Sequence, residues 1–131
     1  MRERSDLTRG WLEKARSDMA AVDALITADS YDTACFHTQQ AAEKFLKAFL
    51  TYFAIAFPST HNLAKLVDLA ATVDASLREL TATVEPLTPY AVEMRYDDQF
   101  WPSREVAEKA RRLAKEVEQA VLGRLPDDAV R

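Results

Sequence analysis

Apolar residues recur at three- and four-residue steps over two long stretches of this chain, and that period constrains the fold more than any other feature. Leu7, Trp11, Ala15, Met19, Val22 and Ile26 form one face of a helix over about residues 5–27, with Ser5 or Asp6 as its cap. The cap and turn formers Asp29 and Ser30 then break the pattern. A second helix follows over about residues 30–56, where Ala34, Cys35, Ala41, Ala42, Phe45, Leu46, Phe49 and Phe53 share a wide apolar arc. Pro58 ends it. Thr60 caps a short helix carrying Leu63, Leu66 and Val67, and Asp74 caps a further piece with Leu77 and Leu80. Thr88-Pro89 opens TPYAVEMRY, a cap followed by proline at the first helical position. DDQFWP reads as a loop. The last helix starts at Ser103, buries Val106, Ala110, Leu113, Val117 and Ala120 or Val121, and is stopped by Gly123 and Pro126. Residues 125–131 read as a frayed tail.

With only 2 glycines in 131 residues, a turn-rich β fold is disfavoured. The expected fold is all-α, one domain over residues 1–131, built as a bundle of three long helices with shorter pieces between the second and the last. A formal net charge of −4 argues against nucleic-acid binding by bulk charge, while leaving room for a local basic patch. The single cysteine, Cys35, has no intramolecular disulfide partner and reads as a core thiol of a cytoplasmic protein. The most apolar stretch, AFLTYFAIAF, is shorter than the ~20 residues a membrane span needs.

P-loop, GxGxxG, GxSxG, HExxH and CxxC motifs are all absent. Two widely spaced histidines and one cysteine make a poor metal site. Three groups of polar residues remain as candidates. On the second helix, His37, Gln40, Lys44 and Lys47 share a stripe opposite the apolar arc, beside a mixed seam of Phe36, Gln39, Glu43 and Leu50. A solvated face with a Glu43–Lys47 ion pair accounts for the charges but leaves Phe36 and Leu50 exposed; an interface or ligand cleft covers both. His61 stands at a helix start, where it either bonds the backbone or helps hold an anion such as phosphate. In MRYDDQFW, Arg95 can grip a phosphate or carboxylate, or pair with Glu93, Asp97 or Asp98. Phe100 and Trp101 either fold back as a core lid or form an interface or stacking surface.

One constellation covers about the whole chain. It runs Trp11-x-x-x-Ala15-x-x-Asp18, Tyr31, then Phe36-His37-x-Gln39-Gln40-Ala41-Ala42-Glu43-Lys44-x-Leu46-Lys47-Ala48. Thr60-His61-x-Leu63-x-x-Leu66, LTPYAVEMRY and an alanine-rich last helix follow. This pattern resembles the HEPN domain family, the nucleotide-binding domains shared by higher eukaryotes and prokaryotes. The resemblance implies an up-and-down bundle of about five helices and a homodimer with a cleft between subunits. It also implies a minimal nucleotidyltransferase as partner, in pairs that often resemble toxin–antitoxin modules with the HEPN protein as RNase. The RNase members carry an arginine followed, after four to six residues, by a histidine. Neither His37 nor His61 has an arginine at that distance upstream, and no histidine follows Arg95. The chain therefore resembles the branch without that motif.

The expectation is a dimeric module that partners a nucleotidyltransferase and binds a nucleotide such as ATP, with no metal or resident cofactor. His37, Lys44, His61 and Arg95 are the candidate phosphate contacts. Phe36, Gln39, Gln40, Glu43, Lys47, Leu50, Tyr96, Phe100 and Trp101 are the candidate interface. The alternatives are an RNase toxin with a displaced set such as Arg95 and His61, its histidine titrating near neutrality, and a purely structural oligomerisation domain.

Overall fold

A computed structural model describes residues 3–92 and 97–131. Helix α1 (Arg4–Thr27) and helix α2 (Tyr31–Tyr52) form a long hairpin. Helix α3 (Leu63–Ala71), a 3₁₀ segment (Ala75–Glu79) and helix α4 (Leu80–Val84) pack at its far end. Helix α5 (Arg104–Leu122) returns along α2, and a last turn, α6 (Asp127–Val130), closes the chain. Among the described residues there is no strand, so the all-α expectation holds. No described helix is long and apolar enough to cross a membrane.

α2 is the central element, touching α1, α3 and α5. Three-sided packing requires an apolar arc wider than a two-helix contact needs, and α2 supplies it with Ala34, Cys35, Ala41, Ala42, Phe45, Leu46, Ala48, Phe49 and Leu50, all fully buried. Leu12, Val22, Leu63, Leu66, Leu77 and Leu87 complete the centre of the core. Burying each large aliphatic or aromatic chain contributes about 1.5–3 kcal/mol, and this cluster is what holds the bundle.

The two ends of the hairpin are set by backbone geometry. Asp29 (φ 60°) and Ala54 (φ 58°) both adopt the left-handed conformation just past a helix end. Each turn is closed by paired bonds, Ser30 N–H to Leu25 O and Asp29 N–H to Ile26 O in one, Ile55 N–H to Leu50 O and Ala54 N–H to Thr51 O in the other. This corrects the end of the second helix. It stops at Tyr52, well ahead of Pro58, because Ala54 has already turned the chain.

Four further expectations are corrected. α1 starts at Arg4, and its N-cap is Glu3 without a side-chain bond, in place of Ser5 or Asp6. The cap of α3 is Asn62, whose side chain accepts from Lys65 N–H, while the Thr60 hydroxyl accepts from Asn62 N–H. The buried face of α5 is the alanine-rich stripe Ala107, Ala110, Ala114, Val117 and Val121; Val106 is exposed and Leu113 half-buried, since small residues let α5 approach α2 closely. Residues 125–131 do not fray: Ala129 is fully buried, Arg16 donates to Val130 O at 3.2 Å, and Arg9 donates to Asp128 O. Two caps stand as read, Ser103 accepting from Val106 N–H and Asp74 from Ser76 N–H.

Candidate functional site

Two carboxylates organise the polar side of α2. Asp18, on the outward flank of α1, has Oδ1 2.9 Å from His37 Nδ1 and Oδ2 2.6 Å from Lys44 Nζ. It thereby ties α1 to α2. Glu43, on α2 itself, has Oε1 2.8 Å from His61 Nδ1 and Oε2 2.9 Å from Lys47 Nζ. Gln39 Nε2 donates to Glu43 Oε1 at 3.1 Å and to His61 O at 3.4 Å, and Gln40 Nε2 donates to Gln39 Oε1 at 2.6 Å. The i,i+4 pair read from the sequence, Glu43–Lys47, is present.

The two pairs differ in depth. Glu43 is almost fully buried. Burial pushes its carboxyl pKa up, but hydrogen bonds from His61, Lys47 and Gln39 outweigh that and hold it below the usual value. Lys47 continues the network inward. Its ammonium lies 5.6 Å from the Trp11 ring centre and 5.7 Å from that of Phe57, and those two rings meet edge to face at 6.3 Å. His61, by contrast, is 63% exposed in its side chain, so its ring is oriented by Glu43 and open to solvent. The Asp18 pair lies nearer the surface, with His37 and Lys44 both half-buried.

By helical position, His37 and Lys44 on one flank and Gln39 and Glu43 on the other border a stripe of α2 made of Phe36, Gln40 and Lys47. α1 presents Leu7, Gly10, Trp11 and Lys14 on the same side as Asp18, lining an open groove of about 380 Å³. Leu7, expected in the core, is 42% exposed here. The α1–α2 seam therefore carries cations, carboxylates, amides and apolar surface side by side.

The sequence-derived candidates divide. His37 and Lys44 meet on one carboxylate, and His61, Gln39 and Lys47 meet on the other. The reading that leaves Leu50 exposed is corrected: α2 is covered on that flank and Leu50 is fully buried. Gln39 and Glu43 are likewise buried, so their polar groups serve the fold of their own chain. Phe36, Gln40 and Phe100 are half-buried and Trp101 is exposed. Arg95 and Tyr96 lie outside the described residues. Two donors at the start of α3 are engaged, Leu63 N–H by Thr88 Oγ1 and Lys65 N–H by Asn62 Oδ1. Asp18 was not among the candidates, although an acid on the outward stripe of α1 is the partner that a His/Lys stripe on α2 calls for. Among the described residues, no group of three or more His, Cys, Asp and Glu is arranged to hold a metal ion.

The comparisons with known proteins agree with this architecture. The HEPN domain family model matches residues 8–125, and the chain belongs to that family. The crystal structure of TT1696 from Thermus thermophilus superposes with a TM-score of 0.76 at 27% identity, covering 90% of this chain and 98% of that one. ST0689, described as an archaeal HEPN homologue, superposes with a TM-score of 0.71 at 22% identity, over 94% and 98% of the two chains, and shares the fold. A search of curated proteins gave no match.

Proposed function

We propose that this chain is a homodimeric HEPN binding module that partners a minimal nucleotidyltransferase and takes a nucleotide at the α1–α2 seam. The observation that carries this reading is the part-exposed Asp18–His37–Lys44 cluster, with the groove lined by Leu7, Gly10, Trp11 and Lys14 on the same helix as Asp18. A lysine and a histidine held in place by one carboxylate are pre-oriented, so a phosphate that takes over their donors meets little ordering cost. The adjacent apolar groove gives a base or a partner side chain somewhere to lie.

Calorimetry with ATP, alongside light scattering, tests it. Saturable binding to a dimer, weakened about tenfold or more by Lys44→Ala, is the expected result, a loss in the range of a charge-assisted hydrogen bond. A dimer that ignores ATP leaves the seam to a protein partner. A monomer that binds nothing overturns the reading.

An RNase is the second reading, and one observation favours it: Glu43 orients the exposed His61 as a carboxylate orients a general base. Among the described residues, however, no arginine bonds either histidine or its carboxylate, and the cations that do, Lys44 and Lys47, are each held by a carboxylate. RNA cleavage by the purified dimer, lost in His61→Ala, would reverse the preference.

A further inference from the structure

The loop at residues 97–102 is held by its own hydrogen bonds and by Phe100. Asp97 Oδ1 accepts from Gln99 N–H at 2.9 Å and Asp97 O from Phe100 N–H at 3.1 Å. The Phe100 ring stacks on Tyr90 at 5.6 Å and packs on the core. The loop thus splits the two aromatics that the sequence reading treats together: Phe100 is the anchor, and Trp101 is 75% exposed. Trp101 is also held, because its indole N–H donates to Asp98 O at 3.0 Å. The indole is thus held by its N–H while most of its surface faces solvent.

The charges around it select its partner. Asp97 and Asp98 are exposed and make no ion pair among the described residues, and Glu105 is exposed one turn along. The nearby cation, Arg104, is engaged with Asp29 at 2.8 Å, Glu108 at 3.5 Å and the Tyr31 ring at 5.4 Å. The surface offered is therefore an indole face among carboxylates that no described cation neutralises. Phosphate is repelled there, which counts against base stacking by a nucleic acid. A guanidinium or ammonium is attracted twice, by the ring and by the carboxylates.

We infer that Trp101, with Asp97 and Asp98, is a docking surface for an arginine- or lysine-bearing segment of a partner protein. The inference rests on the reading of this chain as a module that docks a protein. It does not depend on the α1–α2 seam or on nucleotide.

Calorimetric titration of the full chain with a hepta-arginine peptide, and separately with a ten-nucleotide thymidine oligomer, at fixed ionic strength tests it. Saturable peptide binding is expected, weakened at least about fivefold by Trp101→Ala, as loss of a cation–π contact implies. Asp97→Asn with Asp98→Asn should weaken it further, whereas Trp101→Phe should retain part of it. Phe36→Asp, on the α2 stripe, should leave peptide affinity unchanged, which separates this surface from the seam. No saturable peptide binding, or equal binding by Trp101→Ala, overturns the inference. Oligomer binding lost in Trp101→Ala overturns it in favour of base stacking.

Discussion

Glu43 and Asp18 make the same two bonds, one to a histidine Nδ1 and one to a lysine Nζ, in different settings. Glu43 is buried, and its lysine is enclosed by Trp11 and Phe57. Asp18 lies nearer the surface, and both of its partners reach solvent. Burial decides what each pair is for. A buried charge removed from its partner leaves the partner uncompensated in a low dielectric, so the Glu43 pair is a structural tie. A pair whose histidine and lysine both reach solvent loses less when it opens, because water can take over their donors.

The sharpest way to break this comparison is to remove each carboxylate in turn. Glu43→Ala should destabilise the fold by about 3 kcal/mol, because Lys47, enclosed by Trp11 and Phe57, is left without its counter-charge. Asp18→Ala should cost about 1 kcal/mol or less. Urea unfolding followed by circular dichroism measures both. Equal losses would mean that the two pairs have the same standing.

Acid sharpens the comparison further. The Glu43 pKa is lowered in the folded state from its ordinary value of 4.5. A lowered carboxylate pKa means that the unfolded chain binds the proton more readily. The stabilisation is therefore fully present above the unfolded pKa and is lost as pH falls through the folded one. Stability should thus hold from neutrality to about pH 5 and decline below about pH 4.5. Glu43→Gln should flatten that acid limb. A limb unchanged in Glu43→Gln would place the acid sensitivity elsewhere, for instance at Asp74, which is also lowered, by bonds from Ser76 and Arg124.

Much of this fold was legible in the sequence, for a physical reason. α1 and α2 are long, and their apolar positions repeat often enough to fix the period and the buried face. Ser103 and Asp74 were legible as caps because their side-chain bonds are local. The Glu43–Lys47 pair was legible because i,i+4 spacing on a helix guarantees proximity. What could not be read depends on contacts across the chain. Asp18 meets His37 and Lys44 only because α1 lies against α2, and the pattern within α1 says nothing of that. Leu50 is buried because α2 has three neighbours, and C-terminal docking depends on Arg9 and Arg16 more than a hundred positions away. Trp101 and Phe100 are adjacent yet opposite in exposure, a separation made by the loop's own hydrogen bonds.

The smallest expected effect concerns how His61 reaches Glu43. Asp18 meets its partners from within two continuous helices, whereas His61 comes back along the segment that Ala54 redirects. Ala54 sits at φ 58°, where its Cβ crowds the backbone at a cost of about 1 kcal/mol. Glycine there removes the crowding but gives the unfolded chain more freedom, which returns part of the gain. Ala54→Gly should therefore stabilise the fold by about 0.5 kcal/mol. It should leave the acid limb assigned to Glu43 in place, since the turn keeps its hydrogen bonds to Leu50 O and Thr51 O. If Ala54→Gly lowered stability and flattened the acid limb together, the turn's stiffness would be what presses His61 onto Glu43. The buried pair would then depend on the loop, and the contrast with the helix-borne Asp18 pair would widen.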